Sequence, residues 1–440
     1  MSTHEPKADM NRWRSPLFIL VLFMIGKDLL YAPIPYGLRS LAQGLCLAIG
    51  IFWLPLGVST AVLARYWPIL FYLAVLFIEA PFSSYPIFVF LEVTSLFSMV
   101  LFFIAYHETQ RKRGLMGQDD FVRYMVIIYS VVIITSLLMA RLHPGLVYDS
   151  LFAGDSVGYE IRFKGLYGRA GAMGQAAGLL LGFSAITVRK LPIKLGLVAA
   201  AAIALFLTES RSYWIGAFVA GTVTLWLYFP NRRKRALVAV LICIVGYSIY
   251  YASGHRIDGA WLAQTTRTDS FGTLSGRTYI WTEAMKGIAN SPWIGFGFTM
   301  GASGMLENNL SDTWTRNLVS DPRQLSRVSM HNGYVQSLMD SGIIGTFFYL
   351  STLVLAVWRA MKLDKERVYP TTMYALLFLC ISNFGDSVIY SGTMFPSVCF
   401  WACAVFAMSL KEPLPHLAAA ANGDTPQISA DRRRFANLLD

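Results

Sequence analysis

Apolar runs of about 17–25 residues follow one another along this chain, each long enough to cross a bilayer, and nothing else in the sequence limits its fold as tightly. They lie at Pro16 to about Ala32, then at 39–64, 66–82, 85–106, 124–141, 170–188, 193–208, 213–229, 236–252, 333–357, 371–390 and 393–410. Backbone polar groups have no water to bond in hydrocarbon, so such segments are helical. Charged residues make up only 14% of the 440, against about 25% in a soluble globular chain. The expected fold is therefore all-α: a polytopic membrane protein of about twelve transmembrane helices.

The charges agree with this count. With the N-terminus inside, the inner connections carry Arg65, Arg111-Lys112-Arg113, Arg189-Lys190, Arg232-Arg233-Lys234-Arg235, and Lys362 with Lys365 and Arg367. The tail carries Arg432-Arg433-Arg434. Every basic cluster falls on one side, as the positive-inside rule requires. The formal charge of +11 belongs to that asymmetry, and no nucleic-acid partner is expected. The first run follows Arg12 and Arg14 like a secretory signal. Lys27 and Asp28 interrupt it and no small-x-small cleavage site follows, so it is expected to remain as a first span with both termini cytoplasmic.

The expected segments are N-terminal membrane helices over 1–252 (about nine spans), a large outer loop over 253–332, C-terminal membrane helices over 333–410 (about three spans) and a polar tail over 411–440. A second long loop runs from about 142 to 168. A loop as long as 253–332 carries structure of its own as a rule. Within it, Ile280, Trp281, Ala284, Met285 and Ile288 recur at helical spacing, which predicts an amphipathic helix over Thr278–Ala289. Asn290-Ser-Pro stops it and Gly295-Phe-Gly turns the chain. This helix is expected at the outer membrane–water interface.

Basic residues on the outer side run against the charge rule and are the informative ones. Arg162, Lys164 and Arg169 surround Phe163-Lys-Gly-Leu-Tyr-Gly168. Arg211 sits in the hairpin tip Thr208-Glu-Ser-Arg-Ser212, beside Glu209, which could pair with it. Arg277 follows Ser275-Gly276. Charge near a membrane is costly and marks function, and arginine binds phosphate oxygens in a bidentate fork. Together the arginines would clamp a lipid-borne pyrophosphate. His331, in Ser329-Met-His-Asn-Gly333, stands at the mouth of the span that follows. An imidazole can take a proton from an attacking hydroxyl near neutral pH. A single histidine is more often structural, and its place opposite the arginines is what singles it out.

Other chemistries find little support. The five cysteines, Cys46, Cys243, Cys380, Cys399 and Cys403, all fall in or beside apolar runs, so neither a disulfide framework nor a zinc site is expected. Walker A, HExxH and serine-elbow motifs do not occur, and Gly295-Phe-Gly-Phe-Thr-Met-Gly301 lacks the strand–helix context of a nucleotide loop. The outer loops offer no Asp-x-Asp pair, so the chemistry is expected to need neither metal nor cofactor.

In order and spacing, six stretches resemble the O-antigen ligase/polymerase family of bacterial membrane glycosyltransferases. They are Arg162-Phe-Lys-Gly-Leu-Tyr-Gly168, Leu207-Thr-Glu-Ser-Arg211, Leu274-Ser-Gly-Arg-Thr-Tyr-Ile-Trp281 with Pro292-Trp-Ile-Gly-Phe-Gly297, and His331-Asn-Gly-Tyr-Val-Gln336 running into Gly342-Ile-Ile-Gly345. The resemblance covers about 160 to 350, and the topology extends it. It implies an enzyme of the bacterial inner membrane with a periplasmic active site and an undecaprenyl-pyrophosphate-linked glycan as donor. By that carry-over Arg211 and Arg277 hold the pyrophosphate and His331 activates the acceptor hydroxyl. Arg162, Lys164, Arg169, Glu209 and Asn332 would contact substrate. The acceptor is another glycan in polymerases and lipid A core in ligases, and a flippase and a chain-length regulator would act in the same pathway. Thr273 to Trp281 looks more like exopolysaccharide and O-antigen polymerases. After Gly168 the chain reads Arg-Ala-Gly-Ala-Met-Gly, where members often show a run such as His-Pro-Asn.

A secondary transporter is the rival from another class, since about twelve spans also suit carriers. Its candidates would be the intramembrane acids Glu92 and Asp386. Carriers usually show two related halves, whereas here the halves differ and the charge gathers at one face. A flippase for the same lipid-linked sugar would need its basic residues inside the spans.

Overall fold

The computed structural model describes residues 60–83, 85–112, 117–151, 160–228, 277–301, 330–362, 370–389 and 395–409. The expected first span, the span at 236–252, nearly all of 39–64, the rest of the large loop and the C-terminal tail lie outside them. Among the described residues the helices longer than one turn are α1 (Trp67–Glu79), α2 (Pro86–Lys112), α3 (Gly117–Leu142), α4 (Ala170–Thr187), α5 (Leu191–Leu207), α6 (Arg211–Tyr228), α7 (Arg277–Asn290), α8 (Gly333–Lys362), α9 (Pro370–Ser382) and α10 (Phe395–Ser409). Two short strands, β1 (Tyr148–Leu151) and β2 (Glu160–Phe163), form an antiparallel ribbon inside the 142–168 loop. The protein is thus an α-helical membrane protein, with one small ribbon among the described residues.

Among the described residues, five segments are long and apolar enough to cross a membrane: Ala64–Phe82, Pro86–Arg111, Gln118–Leu142, Ala170–Thr187 and Gly333–Met361. Leu191–Leu207, Pro370–Ser382 and Ser397–Ser409 are shorter apolar helices. These match eight of the expected runs in position, and the number twelve is not reached among the described residues. Exposed apolar side chains line up on single helix faces. On α3 they are Ile127, Val131, Ile134 and Leu138, a spacing of three and four residues that makes one stripe suited to lipid tails.

The chain divides into two compact units. One contains residues 60–66, the later part of α2, α3, the ribbon, α4, α5 and α10. Its buried polar centre joins His107 Nε2 to Ser409 Oγ at 2.6 Å. Beside it the Glu108 carboxylate accepts the Tyr66 hydroxyl at 2.6 Å and faces Arg65 and Arg111 at 3.9 and 3.6 Å. Phe103, Phe121 and Phe406 pack edge to face around this cluster.

The other unit holds α1, the start of α2, α6, the segment 277–301, α8 and the chain from α9 to residue 389. Helix α8 is broken at Gly342, whose φ of 59° and ψ of −164° are non-helical. A break in a membrane helix orphans backbone groups, and each must find a protein partner. Here residues 292–297 supply them. Phe296 and Gly297 donate to the carbonyls of Met339 and Asp340 at 3.0 and 2.7 Å, and Ile343 and Ile344 donate to those of Pro292 and Trp293 at 2.8 and 3.2 Å. Two of the family-like stretches, Pro292–Gly297 and Gly342–Gly345, are therefore the two halves of one joint.

The approach is close enough to demand glycine. A Cβ on Gly342 would lie 2.3 Å from the Trp293 carbonyl carbon, and one on Gly295 would lie 2.5 Å from that of Asp340. Gly342→Ala combines a left-handed backbone with an unyielding clash. It is expected to cost about 3 kcal/mol, read as a fall in the melting temperature of the detergent-purified protein.

Candidate functional site

His331 is placed by its neighbours on both sides. Asn332 caps α8, its Oδ1 accepting from Tyr334 N and Val335 N at 3.0 and 3.2 Å, as an N-cap asparagine should. Its carbonyl-side oxygen is thus engaged in holding the helix start. Gly333 N donates to the Asn383 carbonyl at 2.8 Å, and the Tyr334 hydroxyl donates to that of Cys380 at 2.8 Å. The first turn of α8 is thereby fixed to the end of α9. On the N-terminal side, Trp281 Nε1 of α7 donates to the Met330 carbonyl at 2.9 Å. His331 itself has a φ of 51°, a left-handed conformation of order 1–3 kcal/mol above the usual basins for a residue with a side chain. That conformation persists because both neighbours are tied down.

The expected span at 371–390 ends early. Helix α9 stops at Ser382, and residues 383–389 are non-helical. Asn383 organises the turn, its Oδ1 accepting from Val388 N and Ile389 N at 3.0 and 3.1 Å while its Nδ2 donates to the Tyr349 hydroxyl at 3.0 Å. The Asn383-Phe-Gly385 sequence carries the stop signal, since Asn and Gly both favour helix C-termini. Asp386, considered above as an intramembrane acid, therefore stands in a turn beyond the end of the helix.

That turn brings Asp386 Oδ1 to 3.9 Å from His331 Nδ1. Its other oxygen, Oδ2, accepts the Tyr213 hydroxyl at 2.6 Å. Tyr213 is fully buried on the first turn of α6, two residues after Arg211, which opens that helix. Small residues let α6 lie close to this turn: a Cβ on Gly216 would reach Ser382 Oγ at 2.6 Å, and one on Gly385 would reach Ser212 Cβ at 2.3 Å. Glu209, just before the helix, is left-handed at φ 52°. The imidazole is half-exposed at 45%, whereas the carboxylate is 12% exposed. The arrangement is a solvent-facing imidazole backed by a buried, hydrogen-bonded carboxylate, which can orient one ring nitrogen and leave the other for a proton.

The remaining sequence candidates divide between the two units. Arg277 is the first residue of α7, the helix whose Trp281 touches the turn before His331. The predicted amphipathic helix is thus present at 277–290, and it buries Ala284 and Ile288 against Met330 and Met339 of the same unit. Met285, expected on its apolar stripe, is 55% exposed. Arg162, Lys164 and Arg169 lie in the other unit. Arg162 is on β2 opposite Asp149, Lys164 N donates to the Val147 carbonyl at 2.8 Å, and Arg169 immediately precedes α4. The turn between them rests on Ser136, whose Oγ accepts from Leu166 N at 3.0 Å.

The fold and this site define a class: an α-helical membrane protein with a histidine in a turn facing a buried carboxylate, and arginines opening two helices of the same unit. The family described as O-antigen ligase matches residues 196–350, a stretch that includes Arg211, Arg277 and His331. An O-antigen ligase of Pseudomonas aeruginosa is 27% identical over 175 residues, covering 40% of this chain and 36% of that protein. The match thus spans well under half the length of that relative. Both similarities are to O-antigen ligases, and the resemblance carried by the motifs is borne out.

Proposed function

We propose that the protein is a membrane glycosyltransferase that takes an oligosaccharide from a polyprenyl (undecaprenyl) pyrophosphate donor and joins it to an acceptor hydroxyl on the periplasmic side of the inner membrane. The observation that carries this reading is the Tyr213–Asp386–His331 arrangement with Arg211 at the head of the helix that bears Tyr213. The buried carboxylate 3.9 Å from Nδ1 favours a proton on that nitrogen electrostatically, leaving Nε2 as the base. Nε2 takes the proton of the acceptor hydroxyl as its oxygen bonds to the anomeric carbon. The bond from that carbon to the pyrophosphate oxygen breaks, and the electron pair leaves with the pyrophosphate. Arg211 and Arg277 meet the charge growing on the leaving group, where preorganised cations act most strongly. Arg162, Lys164, Arg169 and Glu209 are assigned to substrate contacts, and Asn332 supports the turn that bears His331. Metal is not required in this scheme.

The acceptor defines two forms of the reading. The Thr273–Trp281 stretch favours polymerisation of repeat units, as in exopolysaccharide or O-antigen synthesis. The name of the Pseudomonas relative favours ligation to lipid A core. Deleting the gene in its host and resolving surface polysaccharide on a gel separates them. A single repeat left on core assigns O-antigen polymerase, and bare core with lipid-linked polymer accumulating assigns ligase. Loss of secreted polysaccharide alone assigns exopolysaccharide polymerase. A profile unchanged from wild type overturns glycosyl transfer and favours the carrier.

A further inference from the structure

An unbroken chain of hydrogen bonds connects the loop after α7 to the turn at His331, and its centre is a buried acid outside the site described above. Asp340 lies in α8 two residues before the break and is fully buried. Its Oδ2 accepts from Thr299 N at 2.8 Å, and its Oδ1 accepts from Gly301 N at 2.8 Å and from Gln336 Nε2 at 2.8 Å. Gln336, 4% exposed, turns its Oε1 the other way and accepts Met330 N at 3.0 Å. Only one orientation of that amide serves both partners, because the carboxylate can only accept and Met330 N can only donate. The Met330 carbonyl completes the chain by accepting Trp281 Nε1 of α7 at 2.9 Å.

Met330, the residue before His331, is thus held from two directions. Gln336 holds its nitrogen side, Trp281 holds its carbonyl side, and Asp340 fixes Gln336 and the 299–301 turn together. The same joint contains the break at Gly342, where residues 292–297 dock. Helix α7, led by Arg277, and the left-handed turn at His331 are therefore set against each other by one buried network. We propose that Asp340 is a positioning residue: through Gln336 and Met330 it sets the His331 imidazole relative to α7. This rests on the reading of His331 as the base. Asp340 touches neither donor nor acceptor in this account.

Asparagine is the sharp replacement. All three partners at Asp340 are N–H donors on two oxygens, whereas an amide offers one oxygen and turns its NH2 against a donor. Glutamate has no room, since a Cβ on Gly301 would already lie 2.3 Å from Asp340 Oδ1. The test uses the full-length protein in lipid vesicles. The donor is a polyprenyl-pyrophosphate-linked oligosaccharide extracted from a host strain lacking the gene, and rates are taken per monodisperse, folded molecule. Asp340→Asn is expected to lower turnover at saturating donor about 100-fold, the scale of a small misplacement of reacting groups, with KM for the donor unchanged. Combining it with His331→Ala is expected to give the rate of His331→Ala alone.

Turnover near wild type in Asp340→Asn, a loss confined to KM, or full additivity with His331→Ala would each overturn the proposal. Should Asp340→Asn fail to accumulate, Trp281→Phe loosens the same peptide without touching the acid. It is expected to lower turnover with unchanged KM, and wild-type turnover there overturns the proposal. Wild-type transfer by His331→Ala overturns the underlying reading instead, and the single variant reveals that separately.

Discussion

Arg277→Ala is expected to lower glycan transfer about 100- to 1000-fold while leaving membrane insertion intact. The scale follows from removing one preorganised cation from developing negative charge, about 3–4 kcal/mol in a site shielded from water. A departing pyrophosphate gains charge as the glycosidic bond breaks, so the interaction strengthens at the transition state and the loss appears in kcat. Lysine at 277 separates two forms of the idea. A planar fork bonds two phosphate oxygens at once and lysine cannot imitate it, so a bidentate contact leaves Arg277→Lys nearly as slow as alanine. Recovery to within about tenfold would mean that a point charge is enough. The readout is transfer in membranes prepared from each variant, normalised to protein content.

His331→Ala has the other large effect, a loss of about 100- to 10,000-fold, the range for removing a general base. The donor is held by the arginines in this scheme, so KM for donor stays and turnover collapses. Asp386→Asn is expected to fall between the two wild-type-like and inactive limits. It keeps the shape that accepts the Tyr213 hydroxyl at 2.6 Å but removes the charge standing 3.9 Å from Nδ1. The imidazolium formed as the proton arrives then lacks its counter-charge.

Much of this could be read before any coordinates. Spans are legible because their cause is local: an apolar run and the charges at its ends specify a membrane helix without reference to the rest of the fold. The amphipathic helix at 277–290 was legible for the same reason. Arg211 and Arg277 stood out because basic residues expected on the outer side conflict with the charge rule, and His331 stood out by its place opposite them.

What escaped the sequence depends on residues far apart. Asp386 reads as a mid-span acid until α9 is seen to end at Ser382, and the Asn383-Phe-Gly385 stop signal was the available clue. Its partner Tyr213 is 173 positions away, and nothing in either local pattern announces the pairing. Gly295 looks like ordinary turn punctuation, and Gly342 sits inside an expected span. Only the docking of 292–297 into the break in α8 explains why two backbones must nearly touch there. Asn332, a substrate contact by the family resemblance, also caps α8 through its Oδ1, which only the structure shows.

The most direct test follows both halves of the donor in sealed vesicles carrying the purified protein, supplied with a lipid-linked oligosaccharide and its acceptor. Wild-type protein is predicted to form the new glycosidic bond and release one polyprenyl pyrophosphate for each glycan joined, with His331→Ala forming neither product while still binding the donor. Transfer by His331→Ala at the wild-type rate would contradict the account, because no proton acceptor would then be needed where the structure holds an imidazole against a buried carboxylate.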